Sequence, residues 1–564
     1  MYIGQGEVEN EKLEVRKMYK YWISVFLFLF TWGLHAQDTD FYKDYRVRWL
    51  EKAEANTPQL VFTQKAPLQT VKIVPDQQAF QGWKVEPASK ENILSFYGNS
   101  FRDQTEIILD FGEHVTGYFS FSLAPIGTVA DAPVRLKFTF GETPSEIMTP
   151  FDPFPGGLSR AWMQDETVTV MTLPSTTTIP RRVSFRYVKI ELTAKPSYAF
   201  GFTGMYCNAG TSAATAVAPL PSGVDPMIRK IDETSLNTLK ECMQTVFEDG
   251  PKRDQRLWIG DLYLQAMANY HSFKQIELTK RCLYLLAGLS HPNGYLHPCV
   301  YETPEPHGDS RLFLLEYALL YNVTLKDYLE ATSDKETAGD LWVVAKKQLD
   351  IIHTYLQPDG LMDFKKANKE WWIHIDWKDN LYKEVSLHGV SVFALKNTYE
   401  LAKLLGKEQE VSELPALIEK MTKAAYRRYY DKKTGFFTGL ENKQISYASQ
   451  IWMVLSGIAS KKDARRALQN LSRSENVTTP GSPYLYHYYI QALIDAGLQK
   501  EAKEILTSYW GGMIKKGADT FWEVYDPGND YLSPYNFHPL NSYCHAWSCT
   551  PLYFIRRYPE IFQH

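Results

Sequence analysis

Between residues 210 and 225 the apolar period of the chain changes, and no other feature limits its fold as strongly. Before that point, short segments alternate β-branched and aromatic residues with polar ones: Thr105–Phe111, Gly117–Leu123, Val134–Phe140, Glu166–Leu173 and Phe185–Leu192. Clusters of Gly, Pro, Asp and Ser separate them, the punctuation of an antiparallel sandwich. Beyond it, Trp342, Ala345, Leu349 and Ile352 step by three, four and three, as one face of a helix requires. Leu312, Leu315 and Leu319 keep the same spacing, as do Leu395, Ala402 and Leu405. A period of two and a period of 3.6 cannot share one element, so the chain is expected to hold two domains. Its 564 residues leave room for both cores.

The expected order is a multidomain β + α chain. An antiparallel β-sandwich over 38–210 opens on a short, less regular stretch. A Pro- and Ser-containing linker follows over 211–224. Roughly ten to twelve helices then fill 225–564, a number that suits a double-layered (α/α)6 barrel. The absence of a fixed repeat period argues against a solenoid.

At the start, Tyr19-Lys20-Tyr21 precedes the apolar run Trp22–Leu34, which exits through Leu34-His35-Ala36. That pattern reads as a signal peptide, with Met18 the expected start and cleavage near Ala36. Residues 1–36 are thus an N-terminal extension and signal, and the protein is expected to be exported, periplasmic or secreted. The run is shorter than the about 20 residues that cross a bilayer, and no later segment reads as an integral membrane span. A net charge of -4 gives no basic surplus to hold nucleic acid. None of the six cysteines sits in a CxxC pattern, so neither a zinc site nor a disulfide scaffold is expected, though an oxidising compartment allows one or two bridges. There is no Gly-rich phosphate loop and no Gly-x-Ser-x-Gly, and His297, His307, His374 and His545 lack metal-ligand spacing. Neither a metal nor a cofactor is expected.

Aromatic residues reach 14%, with 36 Tyr and 14 Trp. Large cores use aromatics, but so do sugar sites, where flat rings meet apolar C–H faces at low entropy cost. The helical half holds four clusters that mix rings with acids. Glu248–Asp261 packs four acids, three bases and Trp258 into a loop opened by Gly250-Pro251. Asp519–Pro527 places Glu523 directly after Trp522 and before a Pro-Gly turn. Asn541–Ser548 carries His545 and Trp547, and His374–Asn380 carries Asp376 and Trp377. A carboxylate beside an indole is a candidate acid or base. Core packing explains any one cluster equally well; together they suggest one cavity lined from several loops.

These residues resemble a known family. Asp249 through Asp261 resembles the DxxxRDERxxWxGD signature of α-L-rhamnosidases of glycoside hydrolase family 78. Thr520–Glu523 is similar to that family's TxWE, Cys544–Ser548 to its C/S-H-G/A-W-S, and Asp376-Trp377 to its GDW, with Ile375 in place of the glycine. The resemblance implies an inverting glycosidase, in which an acid protonates the leaving oxygen while a carboxylate activates water. It assigns Glu523 as the base and Asp249, Asp261, Trp258 and His545 to the sugar. Arg253, Asp376, Trp377 and Trp522 are further expected sugar contacts.

One position departs. Where the family has the glutamic acid of RDER, this chain has Gln255, and the loop is one residue shorter. An amide gives no proton but can still hydrogen-bond the sugar, so Gln255 is expected as a ligand only. Asp254 is expected to take over as acid, with Glu248 and Glu302 as alternatives. A carbohydrate is the expected partner. Release of a terminal deoxysugar stands beside two rivals, a non-catalytic glycan-binding homologue and a polysaccharide lyase.

Overall fold

The structure, a computed structural model, describes residues 40–89 and 92–564. The expected signal and its extension lie outside the described residues.

Nine antiparallel strands form the N-terminal half: β1 (Val61–Lys65), β2 (Gln69–Pro75), β3 (Trp83–Pro87), β4 (Glu106–Pro125), β5 (Val134–Gly141), β6 (Asp165–Val170), β7 (Ser175–Thr178), β8 (Val183–Ala194) and β9 (Phe200–Thr211). The central order is β1-β9-β4-β8-β5-β6, with β2 and β7 also on β4 and β3 on β2. The segments expected as separate strands at 105–111 and 117–123 belong to one strand, β4, of 20 residues. Gly112 explains it. Its φ of +76° bends the chain without ending the strand, and the register with β8 shifts between Asp110 and Val115. The first half of β4 pairs with β2, the second with β7 and β9, so the sheet folds over a phenylalanine-rich core that includes Phe119, Phe121, Phe138 and Phe185.

The opening of the expected sandwich region needs correction. Residues Lys43–Ala55 form a helix, α1, outside the sheet. Tyr42, Trp49 and Ala53 are fully buried in the core of the helical domain, and Arg46 donates to the carbonyls of Gly288 and Ser290. Three apolar residues spaced over helical turns carried this face, too few for periodicity to reveal. The 211–224 segment is no free tether. It lies along the helical domain with Ala213 and Val224 buried in that core.

The helices close into two concentric rings. After the short α2 (Pro144–Met148) in the sheet domain, the outer ring holds α3 (Pro226–Cys242), α5 (Ile276–Gly288), α7 (Lys335–Gln348), α9 (Leu414–Tyr429), α11 (Lys461–Leu471) and α13 (Gln499–Lys515). The inner ring holds α4 (Ile259–Tyr270), α6 (Leu315–Thr332), α8 (Glu384–Leu405), α10 (Tyr447–Leu455), α12 (Pro483–Asp495) and α14 (Pro551–Arg557), the last led in by a turn at Ala546–Cys549. Each inner helix packs on the next, and the 546–549 turn closes the ring against α4 and α12. The contrast is plainest in the first pair: eleven residues of the 12-residue α4 are buried, against eight of 17 in α3. A helix apolar on all sides must lie inside, one with a single apolar stripe outside. Leu312, expected on a helix face, lies before the first turn of α6.

Connections from inner to outer helices are short, such as 271–275 and 333–334, whereas those from outer to inner are long: 243–258, 289–314, 349–383 and 516–545. The long connections all emerge at one end of the barrel, and the sheet domain is riveted to that end. Lys252 Nζ lies 2.9 Å from Glu142 and 2.5 Å from Glu146, all three side chains buried. Arg182 grips both oxygens of Glu248 at 2.7 Å, and the Tyr543 N–H donates to Glu142 at 2.7 Å. Burial raises both glutamates, but Lys252 and His114 together hold Glu142 below the usual range, while Glu146 stays raised. All six cysteines are free thiols, with Cys242 and Cys544 closest at 4.0 Å between sulfurs. Lys252→Met would strand the buried Glu146 without its cation and leave Glu142 with His114 alone. It is expected to cost about 3–5 kcal/mol, read as a lowered midpoint in denaturant unfolding; an unchanged midpoint would count against the rivet.

Candidate active site

The loop after α3 is shaped by one carboxylate. Asp249 accepts the N–H of Arg256 at 3.1 Å and of Asp254 at 3.2 Å, while its own N–H donates to the Arg256 carbonyl at 3.0 Å. Gly250 makes the turn possible, since a Cβ there would stand 2.5 Å from both the Arg253 carbonyl and Ser542 Oγ. The chain then alternates direction. Lys252 points to the sheet domain, Arg253 to Glu523, and Asp254 into a cavity. Gln255, in left-handed backbone at φ +61°, turns back to donate to the Pro251 carbonyl at 2.8 Å. Trp258 pairs with Cys299 in a short ladder before α4 carries Asp261 inward.

The cavity at this end of the barrel holds about 390 Å³ of free space. Its polar wall is formed by Asp249, Arg253, Asp254, Asp261, Glu523 and His545. Its rings are Trp258, Tyr317, Trp372, His374, Trp377 and Trp547, joined by Tyr535 and by a single aliphatic side chain, Leu314. Of the residues expected at a sugar site, Asp249, Arg253, Asp254, Trp258, Asp261, Trp377, Glu523 and His545 line this one space.

Three expectations are corrected. Gln255 is spent on the loop's own backbone and does not line the cavity. Asp376 accepts from the Gly481 N–H and Ser482 Oγ, both at 2.5 Å, and so braces the Trp377 loop from behind. Trp522 faces the opposite way from its neighbour Glu523 and stacks on Phe80 at 4.4 Å. Among the alternatives for the acid, neither Glu248 nor Glu302 lines the cavity: Arg182 holds the first at the domain junction, and Arg281 and Thr245 hold the second. Leu314, Tyr317, Trp372 and Tyr535 are wall residues that sequence reasoning missed; only Trp372, beside a mixed acid–aromatic cluster, carried any signal.

Glu523 is the most constrained group. Arg253 pairs with its Oε2, which also accepts the Ser542 N–H at 3.2 Å, while the Tyr535 hydroxyl donates to Oε1 at 2.5 Å. Burial works to raise its pKa, but Arg253, His545 and the two donors outweigh it and hold the carboxyl below the usual range. Asp249 goes the other way, raised chiefly by burial. His545 Nε2 stands 3.2 Å from Asp261 Oδ1, the two side chains forming a buried pair on the cavity wall. Burial would lower this imidazole, but Asp261 and Glu523 lift it above its ordinary value. His374 is pushed down to about 3 by burial and Lys383, and both its ring nitrogens lack a partner. The cavity thus offers an ionised carboxylate, several further acids, open donors and acceptors, and a cage of rings.

Residues 67–209 match the model of the glycosyl hydrolase family 78 α-rhamnosidase N-terminal domain, and residues 222–558 that of the bacterial α-L-rhamnosidase six-hairpin glycosidase domain. The chain belongs to glycoside hydrolase family 78. Among solved structures, a rhamnosidase from Klebsiella oxytoca with rhamnose bound is 38% identical, over 91% of this chain and 99% of that one, with a TM-score of 0.87. A family 78 rhamnosidase from Bacillus sp. GL1 shares 20% identity over 80% of this chain and 46% of its own, with a TM-score of 0.67. An α-L-rhamnosidase from Streptomyces avermitilis, complexed with L-rhamnose, shares 15% over 88% and 44%, with a TM-score of 0.62. These last two share the fold, and the chain spans less than half of their length. No curated protein matches the chain. The family is one of glycosidases, and this chain matches the models of two of its domains.

Arg253 gives a test of the electrostatics. Glu523 has a lowered pKa, so it stays ionised until pH falls through that lowered value, and activity is retained above it. Arg253→Met removes the largest opposing influence and leaves burial to dominate, so the acidic limb of kcat/KM should move to higher pH. A limb that stays in place would show that Glu523 does not set it.

Proposed function

We propose that this chain is an exported inverting glycosidase that releases a terminal L-rhamnose or a closely similar 6-deoxysugar from a glycan. The observation that carries the reading is Glu523, kept ionised by Arg253 inside a ring-walled cavity that the carboxyl of Asp254 also lines. An ionised carboxylate can take a proton from water as that water attacks the anomeric carbon. The surrounding acids favour the positive charge that develops on the sugar ring as the bond breaks. The 38% identical protein with bound rhamnose supports the sugar. So does Leu314, an aliphatic wall for the C6 methyl where a hydroxyl would lose its hydrogen bonds.

Asp254 fits the acid better than Asp249. A leaving group departs toward solvent, and the Asp254 side chain keeps 15% of its surface exposed while that of Asp249 is buried, with both oxygens engaged by loop N–H groups. With Gln255 turned back onto the Pro251 carbonyl, the residue before it is the one presented to the cavity. Paired carboxylates speak against the lyase. The apolar run at 22–34 supports export to the periplasm or beyond.

Two variants check the roles. Glu523→Gln should lower kcat by about 10²–10⁴-fold on every rhamnoside, and undiminished hydrolysis would sink the assignment. Asp254→Asn should cost far more with an alkyl rhamnoside, whose leaving oxygen needs a proton, than with 4-nitrophenyl rhamnoside, whose leaving group does not. Equal losses on the two substrates would remove Asp254 from the acid role.

A further inference from the structure

Two large indoles stand side by side at the barrel mouth, Trp371 and Trp372, 39% and 41% exposed. The sugar cavity uses only Trp372. Trp371 faces a second cavity of about 690 Å³ of free space, whose platform is Tyr295, Phe313, Tyr355 and Trp371. The two cavities share a wall. Leu314 lines the first and Phe313 the second, just as Trp372 and Trp371 divide between them. The backbone explains the division: Leu314 and Trp371 are both extended, and in extended chain successive side chains point to opposite sides. Both cavities are built from the long outer-to-inner connections, so they open at the same end of the barrel.

The second platform is held rigid. Trp371 Nε1 donates to the Tyr355 hydroxyl at 2.7 Å, which in turn donates to Glu370 at 2.7 Å. Phe313 meets the Trp371 ring edge-on at 4.9 Å. Asn293, Ser310 and Thr354 add uncharged polar groups around these rings. The ionisable lining groups, apart from the two phenols, are Glu370 and His291, and burial beside His297 pushes His291 down to about 4. Nearby Lys347, over the Tyr295 ring, is paired with Asp350. Lys366, over the Tyr355 ring, spends its ammonium on the Thr354 carbonyl and does not line the cavity, so the lining itself offers flat faces and neutral hydrogen-bond partners, which suit an uncharged pyranose.

We propose that this second cavity is a subsite for the neutral sugar residues that carry the terminal deoxysugar, so that the substrate crosses the Trp371–Trp372 wall with its scissile bond on the first side. The inference rests on the glycosidase reading. Its test compares kcat/KM for a neutral oligosaccharide ending in α-L-rhamnose with that for 4-nitrophenyl α-L-rhamnopyranoside, using the whole chain. Trp371→Ala should lower the ratio of oligosaccharide to aryl glycoside about tenfold, mainly through KM, as expected for loss of one stacking platform. Thr354→Trp, which fills the cavity from its exposed side, should lower the ratio in the same direction without disturbing the wall. An unchanged ratio in Thr354→Trp overturns the subsite, whatever Trp371→Ala does. If the wild type cleaves neither substrate, the glycosidase reading fails on its own. Calorimetric binding of the same oligosaccharide then decides the subsite, supported if Thr354→Trp abolishes binding and overturned if it does not.

Discussion

Two adjacent cations hold this protein's chemistry in place. Lys252 reaches into the sheet domain between Glu142 and Glu146, and Arg253, one residue on, reaches the other way to Glu523. Each is buried, and a buried charge is tolerated only when its partner is present and well placed. The pairs therefore act less as a source of stability than as a positional lock. Glu523 is ionised because Arg253 is beside it, and Arg253 is beside it because Lys252 fixes the loop to a second domain. On that view the sheet domain belongs to the active-site architecture even though it lends no residue to the cavity wall.

The same loop shows how a signature position can change without dissolving the site. Asp249 accepts the N–H groups of Asp254 and Arg256 and so specifies the backbone between them. Within that frame, side chains alternate between cavity and exterior. There Gln255, at φ +61°, turns back onto the Pro251 carbonyl, and Asp254 is the residue that lines the cavity. The frame, not the identity of one side chain, is what the loop preserves.

The division into sheet and barrel was legible because a period of two and a period of 3.6 leave different marks in sequence. The joining of 105–111 and 117–123 into β4 was not, because Gly112 there permits a bend where glycine more often marks a turn. Helix α1 escaped notice because its buried face is three residues wide and packs on a domain 170 residues away in the chain. At the site, acids beside tryptophans pointed to the right loops but not to the direction of each side chain. Trp522 and Glu523 are neighbours in sequence and face opposite sides of their segment, and Asp376 supports the wall that Trp377 forms. Motif adjacency locates a backbone segment. Only packing decides which of its residues meets the ligand.

That distinction also explains why substrate contacts gather at one end of the barrel. The inner helices are largely buried and contribute Asp261 and Tyr317 to the cavity, while the rest of its wall comes from the connections. Their inner-to-outer turns are too short to reach over the ring, as at 333–334. The outer-to-inner connections are long enough to fold inward, and each contributes alternating side chains from extended backbone. Wherever two such segments run side by side, as 313–314 and 371–372 do, one wall acquires two faces. A barrel built this way can widen its substrate range by changing loop residues that face away from the reacting bond, leaving the Arg253–Glu523 pair untouched.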